Sequence, residues 1–483
     1  KKTARYLHYA VTNYHITNVN SSAMFDCPVT NAVLAIISVT FIYTFTGKKD
    51  KYSVRPNITW KGYAINFLLW PLQKFQLSDA FEPIKLERIK KIASKITKYD
   101  DFENDDYEKY YNFTMDLVNK AGYSPIGHAA ARDFFIKRLV AKLRTNRELK
   151  SDRFKGALES PVRKPLFVFG IPRTGTTFLH RLLALDPASR APLGYELFDP
   201  TQRYPDDLEK DAKKRCAYLQ KALDVLHMVV PHFEAIHEVG TDKPEECLLA
   251  MGSDAPIFLA VFHLLLHEMK DNVRDWEPVA AYKNYAKVLQ LLQYQAEVNN
   301  TEQKDKRWVL KCPAHTLWLD YLVQGFPDAR LVWTHRDLND AIPSFCSFLR
   351  ACQDMYEGER YLQLDELGKD VMSSSQEFLK NAHDFYKSTP QEKNPHSSVM
   401  YKDLIKDPVG TVRNLYKELG YEFTAEYEKI LTEFIAADRA QREEIKKRTG
   451  GEKKLHNYSL EMYGIEEEDV ANDFAWYNKE YFA

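Results

Sequence analysis

Apolar residues recur three and four positions apart along residues 84–96 (Ile84, Leu86, Ile89, Ile92, Ala93, Ile96) and again along 134–143. That spacing predicts amphipathic helices packed on a core between residues 81 and 150. Beyond the polar stretch 151–164 the period changes. Leu166-Phe-Val-Phe169 is a short, continuous apolar run, which predicts a buried strand; a turn containing Gly and Pro follows it, then a helical pattern over 176–185. Residues 308–311 and 329–334 predict two further strands, each leading into a helical pattern, and more helices are expected over 211–229, 281–298 and 376–387. Strands alternating with helices give an α/β fold with a parallel sheet flanked by helices, preceded by a helical N-terminal portion.

The first 80 residues form an extension ahead of this pattern. Residues 60–75 are aromatic and apolar (Trp60, Tyr63, Phe67, Trp70) and suit a membrane-surface or packing element. From Cys27 to Gly47 run 21 residues without a charge, close to the roughly 20 that cross a bilayer. Thr30, Asn31, Ser38, Thr40, Thr44 and Thr46 dilute that run, so 28–47 reads either as a membrane anchor or as a buried element. Lysines on both sides leave its orientation open. The expected organisation is an extension over 1–80, a helical part of the catalytic region over 81–160, and an α/β domain with a C-terminal lid over 161–483.

Composition narrows the partners. The chain has 483 residues, 45% hydrophobic and 28% charged, the balance of a well-cored globular protein. Its 67 basic residues nearly cancel 68 acidic ones, which argues against a nucleic-acid partner and requires any anionic ligand to be held by a local cluster. The six cysteines include no CxxC pair, so neither a metal site nor a disulfide scaffold is indicated, although one or two bridges stay open. Sequons begin at Asn20, Asn57, Asn112, Asn299 and Asn457. They lean towards a glycoprotein of the Golgi or secretory pathway, membrane-associated through 28–47, with a cytoplasmic location as the alternative.

The candidate chemistry starts at Gly170-Ile-Pro-Arg-Thr-Gly175-Thr-Thr177. This has the spacing of a nucleotide P-loop, except that Thr176 stands where the lysine belongs. Glycines let backbone N–H groups approach a phosphate, and a helix starting near Thr176 adds the positive end of its dipole. The missing lysine argues against γ-phosphoryl chemistry. An arginine, Arg173, and three hydroxyls, Thr174, Thr176 and Thr177, crowd the same turn as Gly175, which favours an anion site over a plain strand-turn-helix. The fold expected is therefore of P-loop type.

A second anion element lies in Val332-Trp-Thr-His-Arg-Asp-Leu-Asn-Asp-Ala-Ile-Pro-Ser344, where Arg336 ends a strand and Ser344 follows two helical turns later. Lys311 closes another strand, with His315 beyond it. A lysine there would stabilise charge on a leaving oxygen, and a histidine of near-neutral pKa suits proton removal.

Pro172-Arg-Thr-Gly-Thr-Thr177 resembles the 5′-phosphosulfate loop of the sulfotransferases, and Leu179-His-Arg-Leu-Leu-Ala-Leu-Asp-Pro187 with Ala191-Pro-Leu-Gly-Tyr-Glu196 resembles the branch common in bacteria and some eukaryotes. The resemblance runs from about Phe81 to the C-terminus. It implies 3′-phosphoadenosine 5′-phosphosulfate as donor, no required metal, and Arg336 and Ser344, eight positions apart, on the 3′-phosphate. It also implies Lys311 and His315 as catalytic residues, although four positions rather than two separate them. Glu234, His237, Glu238, Glu245 and Glu246 remain alternative bases. Arg448, in Lys446-Lys-Arg-Thr-Gly-Gly451, resembles the family's basic segment over the 3′-phosphate. The acceptor stays open among small molecules, lipids and carbohydrates, as does self-association. A P-loop kinase or NTPase, and an assembly scaffold that keeps the fold without turnover, are the rival readings.

Overall fold

A computed structural model describes residues 51–256, 276–357, 362–448 and 458–482. The segment 28–47, Cys27, Asn20 and Asn457 lie outside the described residues. Residues from Val54 onward form one compact unit. Its core is a five-stranded sheet of β1 (Leu166–Phe169), β2 (Ser189–Arg190), β3 (Arg307–Lys311), β4 (Arg330–His335) and β5 (His396–Met400). The spatial order is β2-β3-β1-β4-β5, and every pairing is parallel. The α/β reading holds; β2 and β5 are additions to the three strands expected from sequence.

The helices used below are α1 (Trp60–Lys74), α2 (Leu86–Thr97), α3 (Glu108–Ala121), α4 (Pro125–Leu149), α5 (Thr176–Ala184) and α6 (Leu208–Val229). They continue with α7 (Val279–Val298), α8 (Leu338–Glu357), α9 (Leu364–Ser388), α10 (Pro408–Leu419) and α11 (Ala425–Arg448).

All four residues of β1 are fully buried, as a central parallel strand covered on both faces requires. Its alternation sorts two unlike layers. Leu166 and Val168 join Val309, Val332, Leu179, Leu182 and Leu183 in an aliphatic cluster continued by Val412 and Leu415 of α10 and Leu431 of α11. Phe167 and Phe169 point the other way, into an aromatic layer where Phe167 meets Phe326 and Phe169 meets Tyr386 of α9. Dense burial on both faces fixes the strand ends, and with them the loops that leave them.

The helical N-terminal part is tied to the sheet through α4. Ser124 caps it by accepting the Gly127 N–H at 3.1 Å, with Pro125 at its first position. Midway along it Arg138 is fully buried and donates to the carbonyls of Leu197 at 3.3 Å, Phe198 at 2.6 Å, and Leu249. Burial pushes its pKa down to about 10. One guanidinium thus secures two short helical turns, Gly194–Phe198 and Leu248–Met251, whose carbonyls it satisfies. The five described cysteines are free thiols, so stability rests on such contacts rather than on bridges among them. Replacing Arg138→Leu strands three buried acceptors and is expected to cost about 3 kcal/mol. The exposed Lys155→Ala should leave the thermal midpoint unchanged, and equal midpoints for both variants would contradict the assignment.

Candidate functional site

Three strand ends meet at one edge of the sheet, because Val168 pairs with Lys311 on one side and Phe169 with Trp333 on the other. The loop leaving β1 is shaped by backbone conformation. Gly170 has φ +149°, and a Cβ there would lie 2.5 Å from Thr334 Oγ1; Gly175 has φ +92°, and a Cβ would lie 2.7 Å from the Tyr401 ring. Both positions need glycine. Arg173 also adopts a positive φ, +75°, an uncommon conformation for a side-chain-bearing residue that clusters at functional loops. Thr174 is buried; its hydroxyl donates to the Ile171 carbonyl at 2.8 Å and shares a 2.6 Å hydrogen bond with Thr334. It braces the loop against β4, whereas Thr176 and Thr177, at the start of α5, line the cavity beyond.

The second anion element converges on the first. Arg173 donates from Nε to Ser344 Oγ at 3.0 Å and from Nη1 to the Ile236 carbonyl at 2.8 Å. Arg336 donates to the Arg173 carbonyl at 3.0 Å, lies 3.5 Å from Asp340, and stacks 4.6 Å over the Tyr401 ring. Ser344 is buried and also accepts from the Tyr458 hydroxyl at 2.9 Å. The two elements that the sequence separates by more than a hundred residues therefore form one cationic wall. Tyr401 lies against that wall, with Arg336 over its ring and Gly175 beside it. Arg448 ends α11, and its side chain lies outside the described residues.

Lys311 is buried at the end of β3; its Nζ is ion-paired with Glu246 and lies 3.4 Å from Thr177 Oγ1. The segment bearing Glu246 is held to the sheet by Glu245 N–H to the Pro192 carbonyl at 3.0 Å and Cys247 N–H to the Lys311 carbonyl at 3.1 Å. Glu245 accepts from the Gly240 N–H at 3.3 Å and the Glu246 N–H at 3.2 Å. Burial nevertheless raises its pKa to about 7, against the attraction of Lys311 and with the repulsion of Glu246. His237 also lines the cavity; desolvation lowers its pKa to about 4, with Glu246 pulling the other way and Lys311 and Arg173 adding to the fall.

His315 does not stand with these groups. Pro313 starts a single 3-10 turn, Pro313–Leu317, that folds the histidine back under the aromatic layer. There it is fully buried, hydrogen-bonded through Nδ1 to the Tyr282 hydroxyl at 3.0 Å, and set edge-on to Phe167. Burial drives its pKa down to about 3. Glu234 is exposed, and Glu238, also exposed, is taken up in surface ion pairs with Lys243 and with Arg181 at 2.9 Å.

Beside these groups lies a cavity of about 400 Å³ with a mixed lining. Arg173, Thr176, Thr177, Arg336, Glu245 and Glu246 supply its polar part; Leu226, Phe233, Val239, Leu248, Leu249 and Phe348 belong to its apolar part. Those apolar residues come from α6, α8 and the 233–249 segment, which begins and ends in single helical turns. No local pattern marked them, since each looks like ordinary helix packing until the tertiary fold turns it inward.

Glu245 generates a pH prediction. Its folded pKa of about 7 lies above the unfolded carboxyl value of roughly 4.3. The folded protein therefore holds a proton that the unfolded chain has released. This group's contribution to stability is greatest below the unfolded pKa, declines as pH rises towards the folded one, and is flat above it. Carboxyl-¹³C-labelled protein should show one glutamate midpoint near 7 that vanishes in Glu245→Gln. Finding every glutamate titrating below 5, as a rough limit of the ordinary range, would refute it.

Comparison with known proteins bears on this site. The sequence profile described as "Sulfotransferase family" matches residues 165–425. The omega-hydroxy-beta-dihydromenaquinone-9 sulfotransferases Stf3 of Mycobacterium tuberculosis and Mycobacterium bovis are 25% identical over 261 residues, 53% of this chain and 62% of theirs. The matched stretch thus spans less than two thirds of those curated relatives. Among solved structures, the sulfotransferase STF1 of M. tuberculosis superposes with a TM-score of 0.65 at 25% identity, covering 82% of this chain and 99% of its own. The sulfotransferase STF9 of Mycobacterium avium shares the fold with a TM-score of 0.66 at 23% identity, covering 84% and 98%. The family profile spans both anion elements, Lys311 and the Glu245–Glu246 segment, and on that match over more than half of its length the chain belongs to the sulfotransferase family.

Proposed function

We propose that this protein transfers a sulfuryl group from 3′-phosphoadenosine 5′-phosphosulfate to the hydroxyl of an apolar alcohol, with Lys311 and Glu246 as the residues at the reacting atoms. The observation that carries this reading is the buried Lys311–Glu246 pair, in which Lys311 lies 3.4 Å from Thr177 of the phosphate-loop helix and Glu246 lines a cavity shared with apolar side chains. The cationic wall fits a donor with two separate anionic groups. Arg336 Nε is buried without a hydrogen-bond partner, a costly state that a bound anion relieves.

When bound, the donor supplies an activated sulfuryl group whose bridging oxygen leaves with the nucleotide. Backbone N–H groups of the 170–175 loop and the start of α5 hold the 5′ side. Arg336 and Ser344 hold the 3′-phosphate, and Arg173, within the loop, adds charge on the 5′ side. Lys311 stabilises negative charge on the leaving oxygen. Glu246 takes the acceptor's hydroxyl proton as the new oxygen–sulfur bond forms. In the empty site these two are paired with each other, so donor binding draws the lysine away and frees the carboxylate for its role. The apolar part of the lining suits the body of the acceptor. A hydroxylated menaquinone, named as the acceptor of relatives 25% identical over 261 residues, is consistent with that class.

Calorimetry with adenosine 3′,5′-bisphosphate should show binding that Arg336→Ala weakens at least about tenfold. Absence of binding by the parent would remove the donor assignment. Glu246→Gln should keep that binding while lowering kcat roughly 10²–10⁴-fold with a panel of long-chain alcohols. A Gln variant with parental kcat would remove the base assignment, and turnover of Mg-ATP instead would favour the kinase reading. Donor affinity should fall as pH rises through about 7, by roughly tenfold, as Glu245 ionises and repels the anion; in Glu245→Gln that step should be absent.

A further inference from the structure

The helix α1 is built inside out. Among the described residues the four most exposed large apolar side chains are Trp60 (75%), Leu77 (67%), Leu68 (65%) and Phe75 (65%), all in one short segment. Trp60, Ala64 and Leu68 follow at four-residue spacing, and Pro71 and Phe75 continue the same stripe. The opposite face, which packs on the protein, carries the polar and small residues. Gly62 and Asn66 are buried; Asn66 accepts the Ile126 N–H at 2.9 Å, and a Cβ on Gly62 would lie 3.3 Å from Val229. Gln73 donates to the Tyr123 carbonyl at 2.9 Å, and Thr59, the cap, donates its hydroxyl to the Met228 carbonyl at 2.7 Å and its N–H to Val229 at 2.9 Å. A water-facing helix shows the reverse distribution.

We propose that α1, with Leu77, is a docking face for an anionic lipid surface. Charge supports this occupant: α1 contains Lys61 and Lys74 and no acidic residue. The nearest acids in sequence, Asp79 and Glu82, are both held by Arg88. An exposed tryptophan and apolar stripe flanked by lysines is the pattern of an element lying in the headgroup region. The rigid hold of the inner face means that the helix presents this stripe without rearrangement. Position adds a second argument: the inner face of α1 is clamped to the last residues of α6, and Leu226, one turn earlier on α6, lines the cavity. The helix that bears the docking face therefore packs on an element that lines the site.

The test uses the full chain and vesicles of phosphatidylcholine with phosphatidylglycerol. Because the uncharged run 28–47 would supply its own route to a bilayer if it inserted, the readout is local. Brominated lipid should quench a component of tryptophan fluorescence that disappears in Trp60→Phe. The variant Leu68→Asp with Phe75→Asp should bind vesicles at least about tenfold more weakly. Leu158→Asp, exposed elsewhere on the surface, should bind like the parent. Quenching that survives in Trp60→Phe, or equal binding by all three proteins, would overturn the proposal. So would a lipid-free dimer that the double variant dissociates, which would assign the face to a second copy of this chain.

Discussion

Pairing of Leu166–Phe169 with a parallel strand on each side puts three chain reversals at one edge of the sheet. A strand of four residues cannot carry much free energy by itself. Its weight comes from being sealed between an aliphatic layer and an aromatic one, so that its register cannot slip without exposing both. Lys311, Arg336 and the glycine loop owe their proximity to that register. None of them would meet if β1 shifted by one residue, because the shift would exchange the two layers.

The same arrangement explains how a nearly neutral chain gathers cations. Arg173, Arg336 and Lys311 stand at strand ends or in the loop between them, and only one, Lys311, is closely paired with a buried carboxylate. Arg173 and Arg336 are satisfied mainly by carbonyls, a serine and an aromatic face. Such partners orient a guanidinium without neutralising it, which keeps its charge available to an anion. Dipoles position the cations, and formal charges are used sparingly.

Much of the polar half was legible in the sequence because its requirements are local. Gly170 and Gly175 answer to backbone conformation, and the turn between strand and helix follows from neighbours along the chain. Arg336 and Ser344 could be paired because two helical turns separate them. His315 shows the limit: its spacing from Lys311 suggested a partner, yet Pro313 starts a turn that directs the ring under the sheet. Glu245 and Glu246 could be nominated but not distinguished from Glu234 and Glu238, since burial decides between them and burial is tertiary. The strand His396–Met400 escaped notice because its polar residues conceal its period, and Ser189–Arg190 because two residues have none.

Arg138 has a consequence for how such a protein can diversify. By holding the carbonyls of residues 197, 198 and 249 from a helix outside the sheet, it ties the segment that carries Leu248 and Leu249 to the N-terminal helical part, while Cys247 N–H anchors the same segment to the Lys311 carbonyl at a strand end. Leu226, Phe233, Val239 and Phe348 lie outside the glycine loop, so under the proposed function their exchange for larger, smaller or more polar residues would alter the fit of an acceptor without changing the backbone that shapes the loop.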